Sequence, residues 1–204
     1  IICTERALQS HLPEMQYFKS KCINVKKGET IDLEELALTI AKLGYKKVGS
    51  VDQEATWSRR GDIVDIFPVS SELPIRLEFF GDELDKLREF DPTTQRSLDS
   101  VDKLCMTPTN FSHLIADRLR SLLPDNLDKI IDKEELEMLL SGNTPEGIGR
   151  YIGLAWQTPS SLLDYINPNT CVVIEERDQG ISHGEQWYSH VEENFKECID
   201  ENFH

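Results

Sequence analysis

Between residues 61 and 90 apolar and polar side chains alternate with the period of two that marks a strand with one buried face. In Ile75-Arg76-Leu77-Glu78-Phe79-Phe80, the first, third and fifth side chains share one side and Arg76, Glu78 and Phe80 share the other. Residues 61–67, rich in Ile, Val and Phe and ended by Pro68, predict a preceding strand, and Ser70-Ser71-Glu72 supplies loop chemistry before Pro74. Gly81-Asp82 predicts a tight turn and residues 83–90 a third strand. Upstream the period lengthens. Leu33, Leu36, Ile40 and Leu43 recur at helical spacing behind Asp32 and Glu35, a capping-box-like start, and Gly44 ends the run. These elements predict an α+β module, an antiparallel meander packed against one helix.

The flanks read differently. Residues 1–22 are short and mixed, and are expected to contribute a helix and a strand to something larger. Residues 111–123 predict a helix closed by Pro124; residues 132–140 predict another, with Asp132 and Glu135 at its start and Gly142 after its end. Cys171-Val172-Val173-Ile174-Glu175-Glu176 is an apolar run of the kind found in buried parallel strands, and a polar loop then leads to a last helix over 185–203. Helices around an apolar strand predict an incomplete α/β layer. The opening Ile1-Ile2-Cys3-Thr4-Glu5-Arg6 has neither an initiator Met nor a signal-peptide pattern, so an excised fragment is expected.

A chain of 204 residues has room for one or two domains, and 39% hydrophobic with 29% charged residues is ordinary for a globular protein. No apolar run approaches the roughly 20 residues of a membrane span. The five cysteines lie far apart without a C-x-x-C pair, so reduced, mostly buried thiols are expected rather than zinc or dithiol chemistry. Charge changes the picture more. Of the net −15, residues 109–204 carry seven Lys/Arg against 18 Asp/Glu. An acidic second half repels phosphate, so protein partners are favoured over direct DNA binding.

The candidate site is the polar side of the strands. Arg76, Glu78 and Phe80 share a face on which an aromatic ring is out of place. Counting by twos also puts Arg60, Asp62, Val64 and Ile66 on one face of the preceding strand, with Arg59 opposite or in the approach loop. Two readings compete. Arg and aromatic residues anchor protein–protein contacts, where truncation costs about 2 kcal/mol or more. Alternatively, Arg60 and Arg76 pair with Asp62, Glu78 or Asp65 as solvated cross-strand ions, each worth under about 1 kcal/mol. Pattern alone favours the ion pairs.

Enzymatic readings find little support. Residues 172–176 are similar to an eroded Walker B strand, but no Gly-Lys-Ser/Thr occurs anywhere to cradle a phosphate. His183 and Glu185 lack an i, i+4 His partner and a Cys companion, and read as a solvated loop. Asp164-Tyr165 reads as packing and capping.

The series R-R-G-D-I-V-D-I-F-P, S-E-L-P-I-R-L-E-F-F-G-D-E and R-E-F-D-P-T-T-Q-R-S-L, over about residues 45–108, resembles the transcription-repair coupling factor (Mfd) family, in the module that family shares with the excision-repair protein UvrB. Weaker likeness continues through Thr144-Pro145-Glu146-Gly147-Ile148 and Ser161-Leu162-Leu163-Asp164-Tyr165. D-P-T-T-Q-R-S and S-E-L-P favour this family over UvrB itself, whose corresponding fragment, a damage-verifying DNA-binding piece, is the alternative.

The resemblance implies that residues 23–108 are a UvrA-binding domain. It further implies that 1–22 and 109–204 are two parts of a degenerate RecA-like domain that has lost its ATPase. By the same resemblance Arg60, Arg76 and Phe80 contact UvrA, which raises the docking reading above the ion pairs. No cofactor is implied for this stretch. ATP with magnesium, DNA and RNA polymerase would engage other domains of a parent protein, whose far C-terminal domain would mask the UvrA site. The implied compartment is the bacterial cytoplasm or a plastid stroma. Trp57 and Asp62 depart from the family's uncharged or hydrophobic pattern, so the contact rim is expected to differ there.

Overall fold

A computed structural model describes residues 2–122, 131–141 and 143–202. They form two compact units, one spanning residues 16–157, the other combining residues up to 15 with those from 158 onward.

In the larger unit, α1 (Met15–Lys21) leads into β1 (Ile23–Lys26), and α2 (Leu33–Lys42) follows. A six-stranded sheet then runs in chain order: β2 (Lys46–Lys47), β3 (Thr56–Arg60), β4 (Ile63–Phe67), β5 (Ile75–Phe80), β6 (Glu83–Phe90) and β7 (Ser97–Ser100). Only β2 with β3 is parallel; the rest is an antiparallel meander. The chain returns along β8 (Lys103–Met106), which pairs antiparallel with β1 as a separate ribbon. The three predicted strands and the helix are therefore present, inside a larger sheet.

One sheet face carries the core. Ile75, Leu77 and Phe79 are buried, as their alternation predicts, and they pack with Leu36 and Ile40 of α2 and with Leu104 of the ribbon. Removing each such side chain from water is worth about 2 kcal/mol. Asp32 caps α2 by accepting from the backbone N–H of Glu34 and Glu35 at 2.8 and 2.9 Å. Gly44 is required after the helix. Its φ is +88°, and a Cβ there would sit 2.4 Å from Thr109 Oγ1. The Thr109 N–H donates to Leu43 O, tying the helix end to the segment that follows β8.

A second core gathers α3 (Ser112–Leu122), α4 (Lys133–Leu140) and α5 (Gly149–Ala155) around Ile115, Leu119, Leu139 and Ile152, with Tyr17 and Phe18 of α1 against it. Asp132 caps α4 through the Glu134 N–H. Glu135 does not complete a capping box; it accepts from Arg150 and from the Tyr151 hydroxyl across the helices. The expected helix end at 123, Pro124 and Gly142 lie outside the described residues.

The smaller unit holds single 3₁₀ turns at Glu5–Leu8 and Leu162–Tyr165, a bridge between Leu12 and Ser160, and the long helix α6 (Arg177–Asn202). Asp164 does cap. Its carboxylate accepts from Ser161 N–H while the Ser161 hydroxyl accepts from Leu163, and the Tyr165 hydroxyl donates to Pro13 O at 2.7 Å.

Several expectations are corrected. Residues 171–176 form no strand. They are exposed and irregular, with Val173 87% accessible and a bend at the end where Glu176 has φ +50°. An apolar run is buried only when a neighbouring strand takes up its backbone groups, and no such neighbour occurs among the described residues. The α/β layer expected around that run is likewise not seen there. The last helix starts at Arg177, eight residues before the expected 185, because Gly180 and Gly184 are tolerated at about 1 kcal/mol each. Residues 1–22 give a helix but only an isolated bridge in place of a strand. The four described thiols are not mostly buried: Cys3, Cys105 and Cys171 are exposed and Cys22 is half-buried, all of them free.

Candidate protein-docking face

The second sheet face is where the polar residues of the meander meet. Gly61 and Asp62 form the turn between β3 and β4, so the count by twos does not run through them. Val64 and Ile66 consequently face the core, and Arg60 is not on their side, contrary to the sequence expectation. Cross-strand pairing instead makes two rows. Ser58, Asp65, Arg76 and Arg88 lie opposite one another across four strands, and Arg60, Ile63, Glu78 and Lys86 form the next row. Arg59 falls on the opposite face, where its guanidinium meets Glu34 of α2 at 2.7 Å.

Asp65 organises the first row. It is 1% exposed, and three N–H donors converge on its two oxygens. Arg76 contributes Nε to Oδ1 at 2.7 Å and Nη2 to Oδ2 at 2.9 Å, a bidentate fork, and Arg60 adds Nη2 to Oδ2 at 2.8 Å. A buried carboxylate is tolerated only when its charge and lone pairs are met in this way. The Asp65 bonds hold the Arg76 guanidinium above the ordinary arginine range, against the opposing pull of burial. Arg76 also lies over the Phe90 ring at 4.7 Å, and its Nη1 donates to Gln95 O at 3.3 Å.

The Asp91-Pro92-Thr93-Thr94-Gln95-Arg96 loop explains that last contact. Asp91 Oδ1 accepts from the N–H groups of Thr93 and Thr94, and these bonds draw its carboxyl below the usual range. Gln95 sits at φ +61°, a conformation costing about 1 kcal/mol or more for a non-glycine residue, and its side-chain amide is pinned by Val51 O and Pro92 O. A strained but anchored residue thus aims its carbonyl at Arg76.

The three sequence-predicted residues come together on this face but are not equivalent. Arg76 is 14% exposed and three of its donors are used internally. Arg60 is 58% exposed and spends one donor on Asp65. Phe80, one step past a bulge at Glu78/Phe79 and opposite Glu83, is 84% exposed. Glu78 lies 3.8 Å from both Lys86 and Arg88, long enough to be weak surface pairing. Sequence reasoning singled out neither Phe90, Gln95 nor Arg88. Their signals were the aromatic and the left-handed turn residue that bracket Asp91-Pro92, and the alternation of β6.

Comparison with known proteins bears on what this face meets. Residues 23–111, from β1 to just past β8, match the model of the UvrB interaction domain. Over 86% of its length the chain is 27% identical to the transcription-repair-coupling factor of Bacillus subtilis. It is 28% identical to that of Haemophilus influenzae over 93% of its length, and to that of a Staphylococcus aureus strain over 83%. The chain is similar to the transcription-repair-coupling factors over most of its length. It spans 16–17% of the length of those curated relatives. This face lies wholly within the part matched as a UvrB interaction domain.

Proposed function

We propose that this chain is a non-catalytic docking module of a transcription-coupled repair factor, and that the face bearing Arg60, Arg76 and Phe80 binds the damage-recognition protein UvrA. One observation carries the reading: an almost fully exposed Phe80 ring stands on a paired strand, on the same face as a half-exposed Arg60 guanidinium. Such a ring is costly to leave in water and is an effective anchor in a partner's pocket. The description of the matched family and the names of the relatives agree with this reading.

In the fuller version, residues 23–108 are the UvrA-interaction domain, and 1–22 with 109–204 are two parts of a degenerate RecA-like domain. The parent protein would recruit UvrA to stalled RNA polymerase in the cytoplasm of a bacterium, or in a plastid stroma, using ATP and magnesium in motor domains outside these 204 residues. Its C-terminal domain would compete for the same face. The corresponding fragment of UvrB is disfavoured by the net charge of −15, which opposes DNA, and by the relatives' names.

The test is a titration of UvrA with the wild-type chain, Arg60→Ala and Phe80→Ala. Each substitution should weaken binding by about 2 kcal/mol while the fold persists by circular dichroism. Unchanged affinity in both folded variants would remove the assignment of the face.

A further inference from the structure

The geometry on the polar face separates residues that touch a partner from one that aims them. We propose that Asp65 is a positioning residue for docking: its buried carboxylate fixes the Arg60 guanidinium so that the donors left over meet a carboxylate on the partner, beside an apolar pocket that takes Phe80. This rests on the docking reading above.

Three features carry it. Asp65 is sealed from solvent at 1% exposure, so it cannot itself be contacted. Arg76 occupies Oδ1 and shares Oδ2, and with one Nη1 N–H on Gln95 O and its plane over Phe90 it spends three of its five donors inside and is only 14% exposed. Arg60 alone reaches from the same carboxylate to the surface. It uses Nη2, stays 58% exposed, and keeps the rest of its planar donor set available. An arginine tethered at one corner has already lost much of its rotamer freedom, so a second carboxylate meets a preorganised fork.

The chemistry of the partner group follows from charge. The two rows hold four cationic side chains, Arg60, Arg76, Lys86 and Arg88, against Asp65 and Glu78, in a chain whose net charge is −15. A locally positive face on an acidic protein repels a basic partner most at this spot and attracts an acidic one.

The test is a double-mutant cycle on UvrA binding, measured by titration with the whole 204-residue chain: wild type, Arg60→Ala, Asp65→Asn and the pair. Asparagine keeps the shape of Asp65 but leaves one oxygen for three donors. Each single change should weaken binding about tenfold or more, as expected for a lost charge-assisted contact. If Asp65 acts through Arg60, the double variant should be no weaker than the poorer single one within about twofold. Losses that multiply, or an Asp65→Asn chain that binds like wild type, would overturn the proposal.

Thermal melts check that each variant folds. If Asp65→Asn does not, Arg60→Lys decides the matter. Lysine keeps the charge but cannot hold one corner on Asp65 while presenting a fork, so a loss close to that of Arg60→Ala supports positioning, and near-wild-type binding refutes it. Raising the salt concentration should weaken wild type more steeply than Arg60→Ala, and equal slopes would refute the partner carboxylate. Failure of the wild-type chain to bind UvrA would instead sink the docking reading itself, a distinct outcome.

Discussion

The polar face of the sheet and the surface of the smaller unit both expose large apolar side chains, in opposite company. On the sheet Phe80 stands among charged side chains, on a strand paired on both sides along most of its length. In the smaller unit Val172, Val173 and Ile174 are exposed in succession on backbone without strand pairing, and Ile181, Tyr188, Val191 and Phe195 continue along α6 at helical spacing. A rigid support makes a single ring a contact that can be presented without ordering cost. An unpaired run has no such support, and its hydrophobicity says nothing about what, if anything, it meets.

The difference is sharpest in stability. Leu77, fully buried between sheet and α2, should cost about 3 kcal/mol as Leu77→Ala, read from the urea midpoint, because the close-packed core only partly collapses on the cavity. Val173→Ala in the smaller unit should stay within about 0.5 kcal/mol. A large loss at Val173 would mean that the run is packed in solution, and the contrast between the two surfaces would fail.

A second contrast lies within the polar face of the sheet. Arg76→Ala leaves the buried Asp65 carboxylate with only Arg60, and breaking a buried pair in this way should destabilise by about 2–3 kcal/mol. Phe80→Ala should leave stability within about 0.5 kcal/mol and lose binding instead. Equal melting temperatures for the two variants would break the division between an organising arginine and a presented ring. Smaller again, Gly44→Ala should cost about 1–2 kcal/mol through its left-handed backbone and the close Thr109 hydroxyl; no loss would mean that the loop gives way.

These contrasts also mark how far the sequence could be read. Ile75, Leu77 and Phe79 declared their burial through alternation, because a strand with one buried face has no other way to write it. Asp32 announced the start of α2 for the same local reason. Asp65 was legible as an ion-pair partner for Arg60 and Arg76, but its burial was not, since that depends on Phe90 and the Gln95 loop arriving from 25 to 30 residues away. The face of Arg60 was misread because a two-residue turn resets the alternation, and Arg60-Gly61-Asp62-Ile63 does not look like a break until the register is known. Residues 171–176 failed for a different reason: an apolar composition sets a preference for burial without supplying the neighbouring strand.

The helical core of the larger unit offers the smallest and most specific effect. His113 on α3 is half-buried, and burial, reinforced by the Arg120 charge and only partly offset by Asp117, lowers its pKa below the ordinary 6.5. The unfolded chain therefore binds a proton at a pH where the folded chain does not, and stability must fall as acid is added. The contribution is fully present above 6.5 and is lost as pH falls through the lower folded value. Denaturant midpoints at about pH 8 and about pH 5 should differ, and His113→Gln should flatten that difference while leaving the alkaline midpoint nearly unchanged. Glu135 works in the same direction at lower pH. Its carboxyl is held below the usual range by the Tyr151 hydroxyl and Arg150, so its share is lost only as pH falls below its ordinary 4.5. A slope that persists unaltered between about pH 8 and about pH 5 in His113→Gln would assign the acid sensitivity elsewhere.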